Sequence, residues 1–106
     1  EHWNRTLDRA LRAVDVLLCP TVPVPAPLAE ESADMVATTH RLTAFTFPFS
    51  WAGVPGVSLP CGFTPDGLPV GVQITARQWQ EGLLLRIGAV YQSVTDWHMR
   101  RAPLLD

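Results

Sequence analysis

From Trp3 to Val14 the apolar residues Trp3, Leu7, Ala10, Leu11 and Val14 recur at helical spacing, with Arg5, Asp8, Arg9 and Arg12 on the other side. This pattern predicts an amphipathic helix over about 2–14 that packs one face against another part of the molecule. Asp15 leads into "VLLC", a continuous apolar run of the kind found in a strand buried on both faces. "PTVPVPAP" (20–27) ends that run sharply, because four prolines in eight residues force extended backbone and remove donors. It reads as a stiff connector. No arginine flanks it, which argues against a ligand for a proline-binding domain.

Further along, "EESADMVATTHRLTAF" (30–45) predicts a helix over about 33–42, with Ser32 as N-cap and Asp34 in the first turn. A further turn or short helix fits 44–52, closed by Gly53 as the glycine after the last turn and by Pro55. "GVSLPCGF" (56–63) and "LPVGVQITA" (68–76) read as strands joined by "TPDG" (64–67), an antiparallel hairpin. Pro60 and Pro69 then belong at a strand end, a bulge or an edge, where no ladder donor is needed. The last helix is expected over about 80–98, with an apolar stripe of Leu83, Leu84, Ile87, Val90, Tyr91 and Val94. "RRAPLLD" closes the chain with loop chemistry. The pattern is α/β, without internal repeats or a second domain.

Composition changes the picture in two ways. At 106 residues, 47% hydrophobic and 17% charged, the chain is apolar for its size. Such a chain either makes a compact core or belongs to a larger protein whose other layers cover its apolar faces. Second, all eight basic residues are arginines, so a mechanism that needs lysine must find it elsewhere.

The net charge of −2 argues against a nucleic-acid partner. No apolar run approaches the ~20 residues of a membrane span, and the charged N-terminal helix is unlike a signal peptide. Cys19 and Cys61 are too few for a disulfide framework or a metal cluster, so a cytoplasmic location is the expectation.

A search for chemistry finds no catalytic constellation, no metal site and no cofactor motif. "GVSLP" (56–60) begins like a nucleophile elbow, but its fifth residue is Pro60 and Ser58 lies within a strand. His2, His40 and His98 are scattered, and nothing marks a partner for Cys61. The glycines never form a phosphate-cradling loop opening a helix.

Three segments, taken in order, carry a resemblance: "DVLLCPTVPVPAP", "FTFPFSWAGVPGVSLPCGFTPDGLPVGVQITA" and "EGLLLRIGAVYQSVTDWHMRRAPLL". Together they strongly resemble the C-terminal part of the amidase signature family, over almost the whole chain. The resemblance implies a mixed-sheet α/β fold and hydrolysis or transfer of carboxylic amides by a serine, a second serine on a cis peptide bond and a lysine. That machinery lies N-terminal of the region matched here. The expectation is therefore a C-terminal segment, residues 1–106, that has no activity alone and whose partner is the remainder of the amidase chain.

By the same resemblance the segment before the hairpin lines the acyl pocket at His40, Thr43 and Phe47, and Trp79 lies near the substrate entrance. Spacings of three and four would let His40, Thr43 and Phe47 point one way along a helix. The glutamine-hydrolysing subunit of tRNA amidotransferases carries an aspartate where this chain has Thr43, to hold an ammonium group. Threonine supplies no charge, which favours a neutral amide substrate beside Phe45, Phe47 and Phe49. Ser50 stands where the family usually has asparagine.

Two alternatives remain: a fragment of that tRNA amidotransferase subunit, or a non-enzymatic interaction module. A free chain would expose strand edges and apolar helix faces, so homo-oligomers are expected.

Overall fold

The structure, a computed structural model, describes residues 1–103. The last three positions of the expected closing loop, 104–106, lie outside the described residues. In chain order the elements are α1 (His2–Ala13), β1 (Val16–Pro20), a 3-10 turn (Glu30–Ser32), α2 (Met35–Thr43) and α3 (Phe47–Ala52). There follow β2 (Gly56–Phe63), β3 (Pro69–Ala76), α4 (Glu81–Val94) and a second 3-10 turn (Trp97–Met99).

The three strands form one sheet in the order β1-β3-β2, with β3 in the centre. Both pairings are antiparallel, so the mixed character expected of the intact family fold is not built from these three strands. The hairpin turns where predicted, with the Thr64 N–H donating to Leu68 O and the Gly67 N–H to Thr64 O. The register shifts between Pro60 and Gly62, and Pro69 is the first residue of its strand. Both prolines therefore sit where a missing N–H costs no ladder bond.

Directly opposed residues of an antiparallel pair share a face. Leu18 faces Ile74 and Leu59 faces Val72, so these four project to one side of the sheet. α4 covers β2 and β3 on that side, where Leu59, Ile74, Ala76 and Leu84 are buried. Val16, Val57, Val72, Ile87 and Tyr91 pack around them.

The expectation that "VLLC" is buried on both faces is corrected here. β1 is an edge strand; Val16 at its start packs against the core, but Leu18 is 64% exposed. The run is apolar because the strand is suited to a covered sheet, yet no described element covers that end of it. The apolar stripe of α4 divides in the same way. Leu84 is buried over the sheet, whereas Val90 and Val94 are exposed.

Helix ends supply two further corrections. The N-cap of α2 is Asp34, not Ser32: its Oδ1 accepts the N–H groups of Val36 and Ala37 at 3.1 and 3.0 Å. Ser32 closes the preceding 3-10 turn by donating its hydroxyl to Leu28 O, and the helix starts two residues later than expected. The last helix ends at Val94 rather than near 98, because Thr95 is extended at φ −135°. The chain then folds back so that Trp97 meets Phe63 of the hairpin edge-on, with ring centroids 6.0 Å apart. That tertiary contact outweighs continued helix.

α1 docks through Leu7 and Leu11, its two buried residues. The guanidinium of Arg77, just past β3, donates to Leu11 O at 2.9 Å in the last turn of α1. A cation there satisfies a free carbonyl and suits the helix dipole.

Candidate functional site

Three of the four residues singled out from the resemblance lie around one corner of the chain, where α2 hands over to α3. Thr43 is the last residue of α2, half-buried, and its hydroxyl donates to Thr39 O at 2.7 Å. His40 lies one turn earlier and is exposed. Phe47 opens α3 and is 59% exposed. The single helix that would align all three is interrupted at 44–46. Pro48 accounts for the break: in a continuous helix it could not donate to the carbonyl of Ala44, but in the first turn of a new helix its missing N–H is no loss. His40 and Thr43 thus share α2, while Phe47 belongs to the next helix.

Gly53 ends α3 with φ +69°, a left-handed conformation that suits glycine, and its N–H returns to the Phe49 and Ser50 carbonyls. Phe47 packs one turn before Trp51, with ring centroids 5.9 Å apart. Trp3 of α1 completes this aromatic group. Its indole Nε1 donates to Pro48 O at 2.7 Å, and its ring meets Phe49 edge-on at 5.9 Å. Trp3, Phe47, Pro48 and Trp51 line a shallow apolar dent. Sequence reasoning treats Trp3 only as helix packing and does not single out Trp51. The i, i+4 spacing of Phe47 and Trp51 is the signal that could have found the latter.

Trp79 stands elsewhere. It is 87% exposed, with φ +66°, uncommon for a bulky residue. Two side chains pin the loop that carries it: Arg77 to Leu11 O, and Gln78, whose Nε2 donates to Gly53 O at 3.4 Å. Trp79 lies at a cleft of about 440 Å³ that also takes in Asn4, Asp8, Leu11, Arg77 and Gln78. Phe47 and Trp79 therefore line different concave surfaces in this chain.

The candidate nucleophiles have other occupations. The Ser58 hydroxyl lies 2.6 Å from that of Thr21, across the central strand. Cys19 and Cys61 are free thiols, and Cys19 Sγ lies 3.6 Å from Gln73 Nε2. Among the described residues no three His, Cys, Asp or Glu side chains converge as metal ligands, and no helix is long and apolar enough to cross a membrane. Among the described residues the arrangement offers apolar surface at the α2–α3 corner and side chains that tether loops to helix ends.

Comparison with known proteins gives these surfaces their context. The family model described as Amidase matches residues 1–85. The chain belongs to the amidase family. Among curated proteins it is 41% identical over 101 residues to the glutamyl-tRNA(Gln) amidotransferase A subunit of Rippkaea orientalis, covering 95% of this chain and 21% of that protein. The protein of the same description from Chloroflexus aggregans is 45% identical over 102 residues, again 95% of this chain and 20% of the relative.

Among solved structures, 6-aminohexanoate cyclic dimer hydrolase in complex with substrate superposes with a TM-score of 0.84 at 33% identity, over 99% of this chain and 24% of that one. The glutamyl-tRNA(Gln) amidotransferase A subunit of Thermotoga maritima gives 0.77 at 34% identity, over 87% and 20%. This amidase-family chain thus spans about a fifth of the length of the curated relatives it matches.

Proposed function

We infer that this chain is the C-terminal segment of an amidase-signature hydrolase that cleaves carboxylic amides, and that it contributes sheet and pocket wall to the intact enzyme. The observation that carries the reading is the match of the amidase model over residues 1–85 in a chain that covers about a fifth of its relatives. Two features support it. The chain has no lysine, so a serine–serine–lysine mechanism needs residues from elsewhere. The sheet face at Leu18 is left uncovered, as expected where more protein packs.

In this reading Thr43 and Phe47 form the wall that meets the substrate, with His40 beside them and Trp79 toward the entrance. The substrate is a neutral amide, because the wall offers aromatic surface and hydroxyls and no carboxylate among positions 43–49. The intact protein acts in the cytoplasm without cofactor, metal or nucleic-acid partner. The test has two arms. The 106-residue chain alone should turn over no amide; appreciable turnover sinks the reading. In the intact enzyme Thr43→Asp should shift preference toward amides bearing an ammonium group by about tenfold, the scale of one new charge-assisted hydrogen bond. An unchanged preference removes Thr43 from the wall.

A second reading is favoured by identities of 40–47% to glutamyl-tRNA(Gln) amidotransferase A subunits. In that case the segment serves a glutamine-hydrolysing enzyme, and Thr43 does the work of the expected aspartate. Glutamine turnover by the intact enzyme, unmatched by apolar amides, decides for it.

A further inference from the structure

The α2–α3 corner has very little holding it. Neither α2 nor α3 contains a buried residue. Half-buried side chains such as Leu42 and Phe49 hold the corner only loosely, so specific bonds weigh more in where Thr43 and Phe47 stand. Among the described residues, two side chains from other elements reach the backbone between Phe45 and Pro48, while Gln78 reaches only the far end of α3 at Gly53 O. One is Trp3, through its indole bond to Pro48 O. The other is Gln73, in the middle of the central strand. It is 7% exposed, and its Nε2 donates to Phe45 O at 3.0 Å across 28 residues of sequence.

Gln73 sits between Ser58 on β2 and Cys19 on β1, so its neighbours on both sides belong to the sheet. Phe45 O lies at the apex of the corner, between the last residue of α2 and the first of α3.

We propose that Gln73 is a positioning residue that sets the substrate wall of the amidase: its carboxamide ties the apex of the α2–α3 corner to the rigid central strand and thereby fixes Thr43 and Phe47. The proposal rests on the wall reading above and deepens it. A β3 position buried on the side away from α4 would ordinarily take an apolar residue. A carboxamide there is costly unless it is hydrogen-bonded; its Nε2 has the backbone carbonyl at the apex of the corner at 3.0 Å and, as a weaker partner, Cys19 Sγ at 3.6 Å. Gln73 contributes no proton and touches no reacting atom. It acts through the position of the two residues that flank Phe45.

The test uses the intact enzyme that carries this segment. Gln73→Met keeps length and volume but removes the donor. Amide hydrogen exchange at residues 44–47 should quicken by about tenfold, the scale of one lost hydrogen bond, while the β2–β3 ladder is unaffected. KM for an apolar amide should rise by about fivefold with kcat within about twofold, the signature of lost positioning rather than lost chemistry.

Gln73→Asn retains the carboxamide one methylene short, and should move both readouts the same way by a smaller factor; it keeps the test open if Gln73→Met fails to fold. Unchanged exchange at 44–47 in the folded variant overturns the clamp. Faster exchange with KM unchanged for every amide tried overturns the role in substrate binding and the wall reading beneath it. A uniform rise in exchange across the sheet overturns the proposal by making Gln73 a general stability residue.

Discussion

Gly71, near the start of β3, is a position where two opposing effects of one methyl group can be separated. A Cβ built there would lie 2.9 Å from Thr21 Oγ1 and 3.1 Å from Ser58 Oγ. Those two hydroxyls are the pair that meets at 2.6 Å over the central strand. The bond exists because the glycine between them has no side chain. In Gly71→Ala the methyl group must displace at least one hydroxyl, losing about 1 kcal/mol for the bond and about 0.5–1.5 kcal/mol for the strained rotamer.

Against this, alanine in a strand is favoured over glycine by about 0.5–1 kcal/mol through backbone entropy. The clash outweighs the entropy gain, and the net expectation is destabilisation by about 1 kcal/mol. In a Thr21→Ala/Ser58→Ala background both obstructing oxygens are gone and only the entropy remains. There the same substitution should stabilise, by about 0.5 kcal/mol. Urea unfolding of the wild type and the three variants, with m-values compared to verify a common transition, measures both effects. An equal effect of Gly71→Ala in the two backgrounds would refute the reasoning, since the hydroxyl pair would then have no part in it.

Two further outcomes are expected. Leu11→Ala removes a side chain that is 1% exposed and anchors α1 to the rest of the fold. Urea unfolding should register a loss of about 2–5 kcal/mol, and a loss below about 1 kcal/mol would mean that α1 is not docked as described. By light scattering the 106-residue chain should self-associate, through the uncovered edge strand and Leu18. Leu18→Lys should shift it toward monomer, whereas a monodisperse wild-type monomer contradicts the expectation.

Much of this protein is determined locally. The α1 stripe, the hairpin with its Asp66-Gly67 turn, the harmless placement of Pro60 and Pro69, and Gly53 as the close of α3 follow from periodicity and from the backbone restrictions of proline and glycine. Those restrictions act within a few residues, so a sequence displays them. The family is legible too, because three motifs occur in order across nearly the whole chain.

The tertiary structure decided what depends on distant partners. β1 reads as a buried strand, but its position at the sheet edge and the exposure of Leu18 follow from which strand took the centre. The last helix stops at Val94 because Trp97 finds Phe63, a partner 34 positions away that no helical pattern marks. His40 and Thr43 part from Phe47 at Pro48, a local signal that regular spacing hides. Gln73 reads as one polar residue in a strand, and Thr21, Ser58 and Gly71 as unrelated positions. Their roles depend on hydrogen bonds and close approaches that form only once β3 lies between β1 and β2. Periodicity records which face a side chain takes. It does not record what waits on that face.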